Sequence, residues 1–117
     1  MNLSYNIDLT DTVVCFSFEG KILTELDYSE AEKAVFNHLN QNYTHVVFDL
    51  SKLTHTNSSG IAFFMRTLTK SRIMGGELIL SGLNGNVAKI FSIAKLDEVY
   101  TIVEDQSEAV NHFKELQ

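Results

Sequence analysis

The sequence predicts a single α/β domain: a mixed sheet of four or five strands, opened by an antiparallel hairpin and joined by about four helices. Three observations lead to this fold class. The chain has 117 residues, the size of one ordinary domain, and shows no linker or internal repeat. Its first two strand-like segments follow each other directly, as in a hairpin. Helix-like segments separate the later strand-like ones, which favours parallel neighbours joined by right-handed crossovers.

The predicted hairpin occupies the beginning of the chain. Residues 5–9 alternate weakly between polar and apolar side chains, residues 11–12 supply the turn, and residues 13–18 alternate strongly, with the period of two that is typical of a strand. Because glycine often interrupts strands, Gly20 is predicted to end the second one.

The first helix is predicted from a start signal at residues 29–32, whose sequence Ser-Glu-Ala-Glu fits a capping box. The polar residues 40–42 end it. The next strand, residues 46–50, is apolar on both faces except for Asp49, and such a run suits a central strand covered on both sides. The connection from Leu50 to the second helix is predicted as a loop.

The second half of the chain continues this alternation of helix and strand. Gly75 and Gly76 are predicted to stop the second helix, because glycine is common just beyond a helix end. Residues 82–85 are predicted as a turn. The remaining elements are predicted at residues 58–74 (helix), 77–80 (strand), 87–94 (helix), 99–103 (strand), and from a cap at Ser107 to the apolar residue Leu116 (helix).

Composition argues against several classes of function. With 15 acidic and 9 basic side chains, the formal net charge is −6, which argues against binding to a nucleic-acid backbone. No apolar run approaches the ~20 residues of a membrane span, and no signal peptide opens the chain. The single cysteine, Cys15, is predicted to be a buried, inert thiol in a reducing, cytoplasmic setting. The histidines lack the spacing of a metal site, and no motif indicates a cofactor.

The most informative segment is residues 54–60, Thr-His-Thr-Asn-Ser-Ser-Gly, between the apolar strand and the second helix. Backbone N–H groups are unpaired at a helix start, and the helix dipole favours negative charge there. Such a place can hold a phosphate, either bound or covalently attached to a serine such as Ser58 or Ser59. A purely structural interpretation, in which Asn57 or Ser58 caps the helix, fits the same pattern.

Three neighbouring residues have competing interpretations. His55 lies three residues before Ser58, but a serine nucleophile needs a hydrogen-bonded base and an orienting acid, and no Gly-x-Ser-x-Gly sequence occurs here. Asp49 is expected to be a surface or capping carboxylate. Phe63 lies off the apolar stripe of the second helix, so it either belongs to a contact surface or is partly buried.

The sequences of the predicted strands and helix starts, taken in order along the chain, resemble the STAS domain of bacterial anti-sigma factor antagonists. That family shows an apolar strand ending in Asp-Leu-Ser, a short connection, and Asp-Ser-Ser-Gly at the start of a helix. The corresponding sequences here are Phe-Asp-Leu-Ser and Asn-Ser-Ser-Gly. The resemblance covers nearly the whole chain, with its segments at residues 18–22, 46–53, 57–61, 75–80, 87–91 and 96–100.

The resemblance implies a regulatory protein without catalytic activity. In the family, a serine kinase that is also the anti-sigma factor phosphorylates the first serine of Ser-Ser-Gly. The unmodified antagonist binds that kinase, the phosphorylated form binds poorly, and a serine phosphatase resets it. The expected phosphorylation site is therefore Ser58, with Ser59 as second choice. The expected partner-binding residues are Gly20, Lys21, Ile22, Thr56, Asn57, Ser58, Ser59, Gly60 and Phe63.

The sequence departs from the family pattern at two places. Asn57 stands where the family most often has aspartate. Residues 20–23 lack the acidic residue that commonly follows Gly-x-Leu in the family, in a loop that lies near the partner surface there. An alternative is a STAS scaffold that is not phosphorylated, as a subunit of a lipid-transport ATPase complex or of a signalling assembly. An enzyme would need an acid–base pair in a pocket, and the sequence indicates none.

Overall fold

The computed structural model describes residues 2–115, and its elements follow the predicted order of strands and helices. The strands are β1 (Leu3–Thr10), β2 (Val13–Lys21), β3 (His45–His55), β4 (Glu77–Ser81) and β5 (Thr101–Val103). The helices are α1 (Glu25–Asn40), α2 (Ser58–Ile73), α3 (Gly85–Ile93) and α4 (Gln106–Glu115), with a short 3-10 helix at Leu96–Glu98. Leu116, assigned from the sequence to the last helix, lies outside the described residues.

The strands form one five-stranded sheet in the order β1-β2-β3-β4-β5. β1 and β2 are antiparallel, and every other neighbouring pair is parallel. The main core, which includes Phe16, Phe48 and Phe64, lies between one face of the sheet and the first three helices. α4 covers the other face, where Phe113 packs on a smaller cluster around Cys15. The predicted α/β class, with a mixed sheet and an N-terminal antiparallel hairpin, is confirmed.

The two strands that lead into the candidate site are longer than predicted. β2 does not end at Gly20, which adopts φ +114° and pairs with Leu53 of β3. β3 continues to His55, although a loop was predicted from Leu50 onwards. Residues 51–55 lack a clear apolar alternation, yet they pair with β2 through a register that contains two irregularities. Backbone pairing rather than side-chain pattern therefore extends this strand.

The first helix begins earlier than predicted. α1 starts at Glu25, and the capping box is formed by Thr24 and Asp27. The carboxylate of Asp27 accepts backbone hydrogen bonds from Leu23 (2.9 Å) and Thr24 (3.2 Å). The predicted cap at residues 29–32 was wrong, because that segment is already helical. Both segments fit the same short pattern, and contacts made elsewhere in the fold decide between them.

The domain is expected to lose stability in acid through Asp27. The hydrogen bond from the Leu23 N–H is the main cause that lowers the pKa of Asp27 below its ordinary value of 3.8. Asn2 contributes a further backbone hydrogen bond to the carboxylate (3.2 Å). A carboxyl group with a lowered pKa stabilises the fold above its unfolded pKa and loses this contribution as the pH falls through its folded pKa.

We therefore expect Asp27→Asn to lower the free energy of unfolding by a constant amount above about pH 5, and by a shrinking amount below about pH 4. Urea denaturation at a series of pH values measures this difference. The exposed Asp97 provides the matched control, because Asp97→Asn removes a carboxylate of the same kind without a capping box. If the difference in free energy of unfolding between Asp27→Asn and the wild type stayed constant into the acid range, the stabilising role assigned to the Asp27 carboxylate would be contradicted.

The last elements differ from the prediction at their ends. Ala94 lies just beyond α3, and β5 excludes Val99, which is 41% exposed. α4 is capped by Asp105, whose Oδ1 accepts the N–H of Glu108 at 2.8 Å, so the predicted cap at Ser107 was wrong. Aspartate and serine are both good caps, and Asp105 and Ser107 lie only two residues apart, so the choice is left to the geometry of the preceding strand.

Candidate functional site

The candidate site is the corner between β3 and α2, at the carboxyl ends of the parallel strands, where α/β sheets commonly bind their ligands. Thr56 and Asn57 are the two residues between these elements, so the connection is tighter than the loop predicted from Leu50. The connection from β2 to α1 lies beside it, because the N–H of Ile22 donates to the carbonyl oxygen of His55 (2.9 Å). Two strand-to-helix connections therefore share one corner.

Asn57 caps α2 and ties the two connections together. Its side-chain oxygen accepts the backbone N–H groups of Ser59 (3.0 Å) and Gly60 (3.2 Å). Its amide nitrogen donates to the carbonyl oxygen of Leu23, across the corner, at 2.7 Å. An aspartate could cap the helix equally well but has no donor for Leu23. Of the two predicted cap residues, Asn57 is therefore the cap, and Ser58 is free of that role.

Ser58 is the first residue of α2 and its side chain is exposed. Within residues 2–115, its hydroxyl takes part in no hydrogen bond. The first turn of α2 contains no acidic residue, so none of its own side chains offsets the positive end of the helix dipole. A negatively charged group attached to Ser58 would therefore meet a favourable local field.

Ser59 is placed differently from Ser58. Its side chain is half-buried, and its hydroxyl lies 3.1 Å from the hydroxyl of Tyr28. The same Tyr28 oxygen accepts a hydrogen bond from Arg66 (3.2 Å), and Arg66 forms a two-point ion pair with Glu32 (2.7 and 3.2 Å). This polar chain joins the beginning of α2 to α1, so a bulky group on Ser59 would have to break it.

Three residues expected at the partner surface lie in the interior. Phe63 is 0% exposed, and its ring stacks on Tyr28 with 4.9 Å between centroids. Ile22 is also 0% exposed. Gly60 is buried, and a Cβ at that position would collide with Oγ1 of Thr56. The exposed contact surface expected at these three positions is therefore not present, because Phe63 and Gly60 lie on the buried face of α2 and Ile22 lies in the same core.

The exposed rim of the corner carries Lys21 together with two apolar side chains that the sequence analysis missed. Leu23, whose carbonyl oxygen accepts the side-chain amide of Asn57, is 47% exposed, and Leu26, in the first turn of α1, is 74% exposed. Neighbouring exposed apolar side chains commonly mark a contact surface. If α1 is started at Glu25, the sequence pattern identifies Leu26 as an exposed apolar residue, because it lies off the buried stripe of that helix. Gly20 is half-buried.

The other candidate residues have local, structural roles. Nδ1 of His55 contacts the hydroxyl of Thr54 (2.9 Å) and no hydrogen bond joins it to the serines in the described part of the chain. Asp49 accepts the backbone N–H of Ser51 (3.0 Å), and both residues belong to β3, so this carboxylate bonds locally within the strand instead of capping an element. Burial raises the pKa of Cys15 to about 12, as expected for an inert thiol.

A groove of about 700 Å³ lies between α1 and α2. Its lining is mainly apolar and includes no carboxylate or histidine among the described residues. Within residues 2–115, no three histidine, cysteine, aspartate or glutamate side chains come together as a metal site requires. Across the same range, the helices are too short or too polar to cross a membrane.

Comparison with known proteins gives consistent results for family and fold. A family model described as the STAS domain matches residues 4–109. TM1081 of Thermotoga maritima, described as an anti-sigma factor antagonist, is 24% identical, with 92% of each chain covered and a TM-score of 0.81. The Bacillus cell fate determinant SpoIIAA in its phosphorylated form is 16% identical, with 94% of this chain and 99% of that chain covered and a TM-score of 0.76. A serine-to-glutamate variant of RsbS from Moorella thermoacetica is 14% identical, with 96% of each chain covered and a TM-score of 0.81.

Proposed function

Because this chain belongs to the STAS domain family, we propose that it is an anti-sigma factor antagonist that is switched by phosphorylation of Ser58. In this proposal, the unmodified protein binds an anti-sigma factor that is also a serine kinase. Phosphorylation by that kinase releases the protein, and a serine phosphatase restores it. The protein has no catalytic activity of its own. Several structural relatives are described as anti-sigma factor antagonists, and SpoIIAA is known in phosphorylated and unphosphorylated forms, which supports this proposal.

The observation that carries the proposal is the contrast between the two serines. Ser58 presents a free, exposed hydroxyl to solvent, whereas the hydroxyl of Ser59 is engaged with Tyr28. A kinase needs an accessible hydroxyl, and the phosphate it adds carries ≈ −1.5 to −2 charges. At the first position of α2 the helix dipole accommodates this charge, so the fold tolerates the modification.

The same position explains how the modification would release a partner. Ser58 is neutral and small, and the exposed side chain of Leu23 lies across the same corner, three residues before the exposed Leu26. A partner that packs on these leucines would cover the Ser58 hydroxyl. A phosphate there would add bulk and a charge that the contact would have to strip of water. Binding would therefore fail without any change in the fold.

The proposal is tested by incubating the protein with its cognate kinase and labelled ATP. We expect one phosphate to be incorporated into the wild type and into Ser59→Ala, and none into Ser58→Ala. Mass spectrometry of the peptide that spans residues 55–66 locates the label. Undiminished labelling of Ser58→Ala would refute the site. A wild-type protein that binds its partner but accepts no phosphate would favour the alternative of a constitutive STAS scaffold.

A further inference from the structure

β1 is an exposed edge of the sheet. It contributes eight residues (Leu3–Thr10) and, among residues 2–115, pairs with no strand other than β2, whereas the opposite edge, β5, has three residues. Natural sheets usually protect a long edge with lysine, proline or a bulge. β1 contains no lysine or proline, and its register with β2 is continuous. This edge is therefore open to pairing with another strand.

The backbone groups that face outward belong to the odd-numbered residues of β1. The hairpin turn has two residues, and Thr10 and Val13 form the pair that flanks it. The backbone N–H and C=O groups of Thr10 therefore bond to β2, and those of every second residue before Thr10 do the same. The hydrogen bond from the Lys21 N–H to the Asn2 carbonyl oxygen (2.9 Å) shows that this alternation continues to the start of the strand. The backbone N–H and C=O groups of the odd-numbered residues from Tyr5 to Leu9 therefore point away from the sheet.

The side chains of the same odd-numbered residues form an apolar row. Tyr5 is half-buried, with its ring 6.2 Å from that of Phe16. Ile7 is 40% exposed and Leu9 is 52% exposed, beyond the cover that the helices provide. A strand that pairs with β1 would therefore extend the backbone hydrogen bonding and cover these side chains in one step.

We propose that a second copy of this chain docks here, with its β1 antiparallel to the first and a two-fold axis through the new pair. An identical strand satisfies the geometry, because any antiparallel register centred on a residue of β1 places outward backbone groups opposite each other. With the axis at Ile7, Tyr5 faces Leu9 and Asp8 faces Asn6. With the axis at Asn6, Tyr5 faces Ile7 and Asp8 faces Ser4.

The charge pattern favours the same two registers. Asp8 is the one charged residue of β1, and in both registers it faces a neutral polar side chain. A register centred on Asp8 itself would place two carboxylates opposite each other and is disfavoured. In both registers the side chains of Tyr5, Ile7 and Leu9 face apolar side chains of the second copy, so the strand is complementary to itself.

The proposed dimer does not depend on the proposed function. Leu9 pairs with Val14, and Val14 pairs with Val46, near the beginning of β3. Ser58 follows the opposite end of β3. The residues that pair in the proposed dimer therefore do not include Ser58.

The proposal is tested by sedimentation equilibrium on the intact chain. We expect the mass of the wild type to rise with concentration from 13.2 kDa towards twice that value. Leu9→Lys places a charge on the open edge and is expected to weaken association by at least about tenfold. Ile93→Lys is the matched control, since Ile93 is 83% exposed on α3, and it is expected to associate like the wild type. Circular dichroism verifies that both variants are folded.

Amide hydrogen exchange supplies an independent measurement on the wild type. The N–H groups of Tyr5, Ile7 and Leu9 are expected to gain protection as the concentration rises, while those of Asn6 and Asp8 are protected at every concentration. A mass that stays monomeric up to about 1 mM would overturn the proposal, because a dimer with a Kd well below that concentration would be detected over that range. A dimer that Leu9→Lys leaves intact, without concentration-dependent protection, would place the contact on another surface and also overturn it.

Discussion

Phe63→Ala is expected to lower the free energy of unfolding by about 3–5 kcal/mol, the usual cost of removing a fully buried aromatic ring. Phe63 is 0% exposed. The centroid of its ring lies 4.9 Å from the ring centroid of Tyr28, 5.4 Å from that of Phe48 and 6.0 Å from that of Phe18. Truncation would leave a cavity between α2, α1 and the sheet. It would also remove the surface on which Tyr28 stacks.

Urea denaturation followed by circular dichroism measures this loss. Phe36→Ala provides a matched control, because Phe36 is a half-buried phenylalanine at the groove between α1 and α2. Phe36→Ala is expected to lower the free energy of unfolding by clearly less than Phe63→Ala, since part of the Phe36 ring already contacts water. A loss below about 1 kcal/mol for Phe63→Ala would mean that the ring does not belong to the core.

Ser58→Asp is expected to weaken binding to the anti-sigma factor by at least about 2 kcal/mol, roughly thirtyfold, because the contact would have to bury an unpaired charge. The melting temperature is expected to remain nearly unchanged, since Ser58 is exposed and the positive end of the α2 dipole faces the new carboxylate. Isothermal titration calorimetry with the purified partner measures the affinity, and a thermal melt measures the stability.

Two variants sharpen this experiment. Ser58→Ala keeps the site neutral and small, so it is expected to bind like the wild type. Ser59→Asp adds the same charge one residue later, but there it displaces the hydroxyl that contacts Tyr28, so it is expected to lower the stability of the fold as well. If Ser58→Asp bound with wild-type affinity, the proposed switch would be refuted, although the family and the fold would stand.

The fold was predictable because its pattern is repeated along the chain. The hairpin, the alternation of strands and helices, and the start of α2 at Ser58 all follow from side-chain periodicity and from one capping residue, Asn57. The end of β3 was not predictable in this way. Residues 51–55 carry no strand pattern of their own, and their pairing with β2 is a property of the folded sheet.

The site was predictable only in part. The sequence placed Ser58 and Ser59 at a helix start, but it could not distinguish a free hydroxyl from an engaged one, because the difference depends on Tyr28 of another helix. Likewise, the buried face of α2 includes Gly60, Thr67 and Ser71 beside its apolar residues, so an apolar pattern does not reveal it. Phe63 therefore faces the interior although it lies off the stripe that the sequence suggested.

The hydrogen bond from Asn57 to Leu23 and the polar chain from Ser59 to Glu32 have a common consequence. They hold the two helix starts in one arrangement before any partner arrives, so docking need not spend entropy on ordering this surface. Rapid recognition without rearrangement follows from such preorganisation. The bound and released states would then share one shape and differ only in the chemical group that the shape presents.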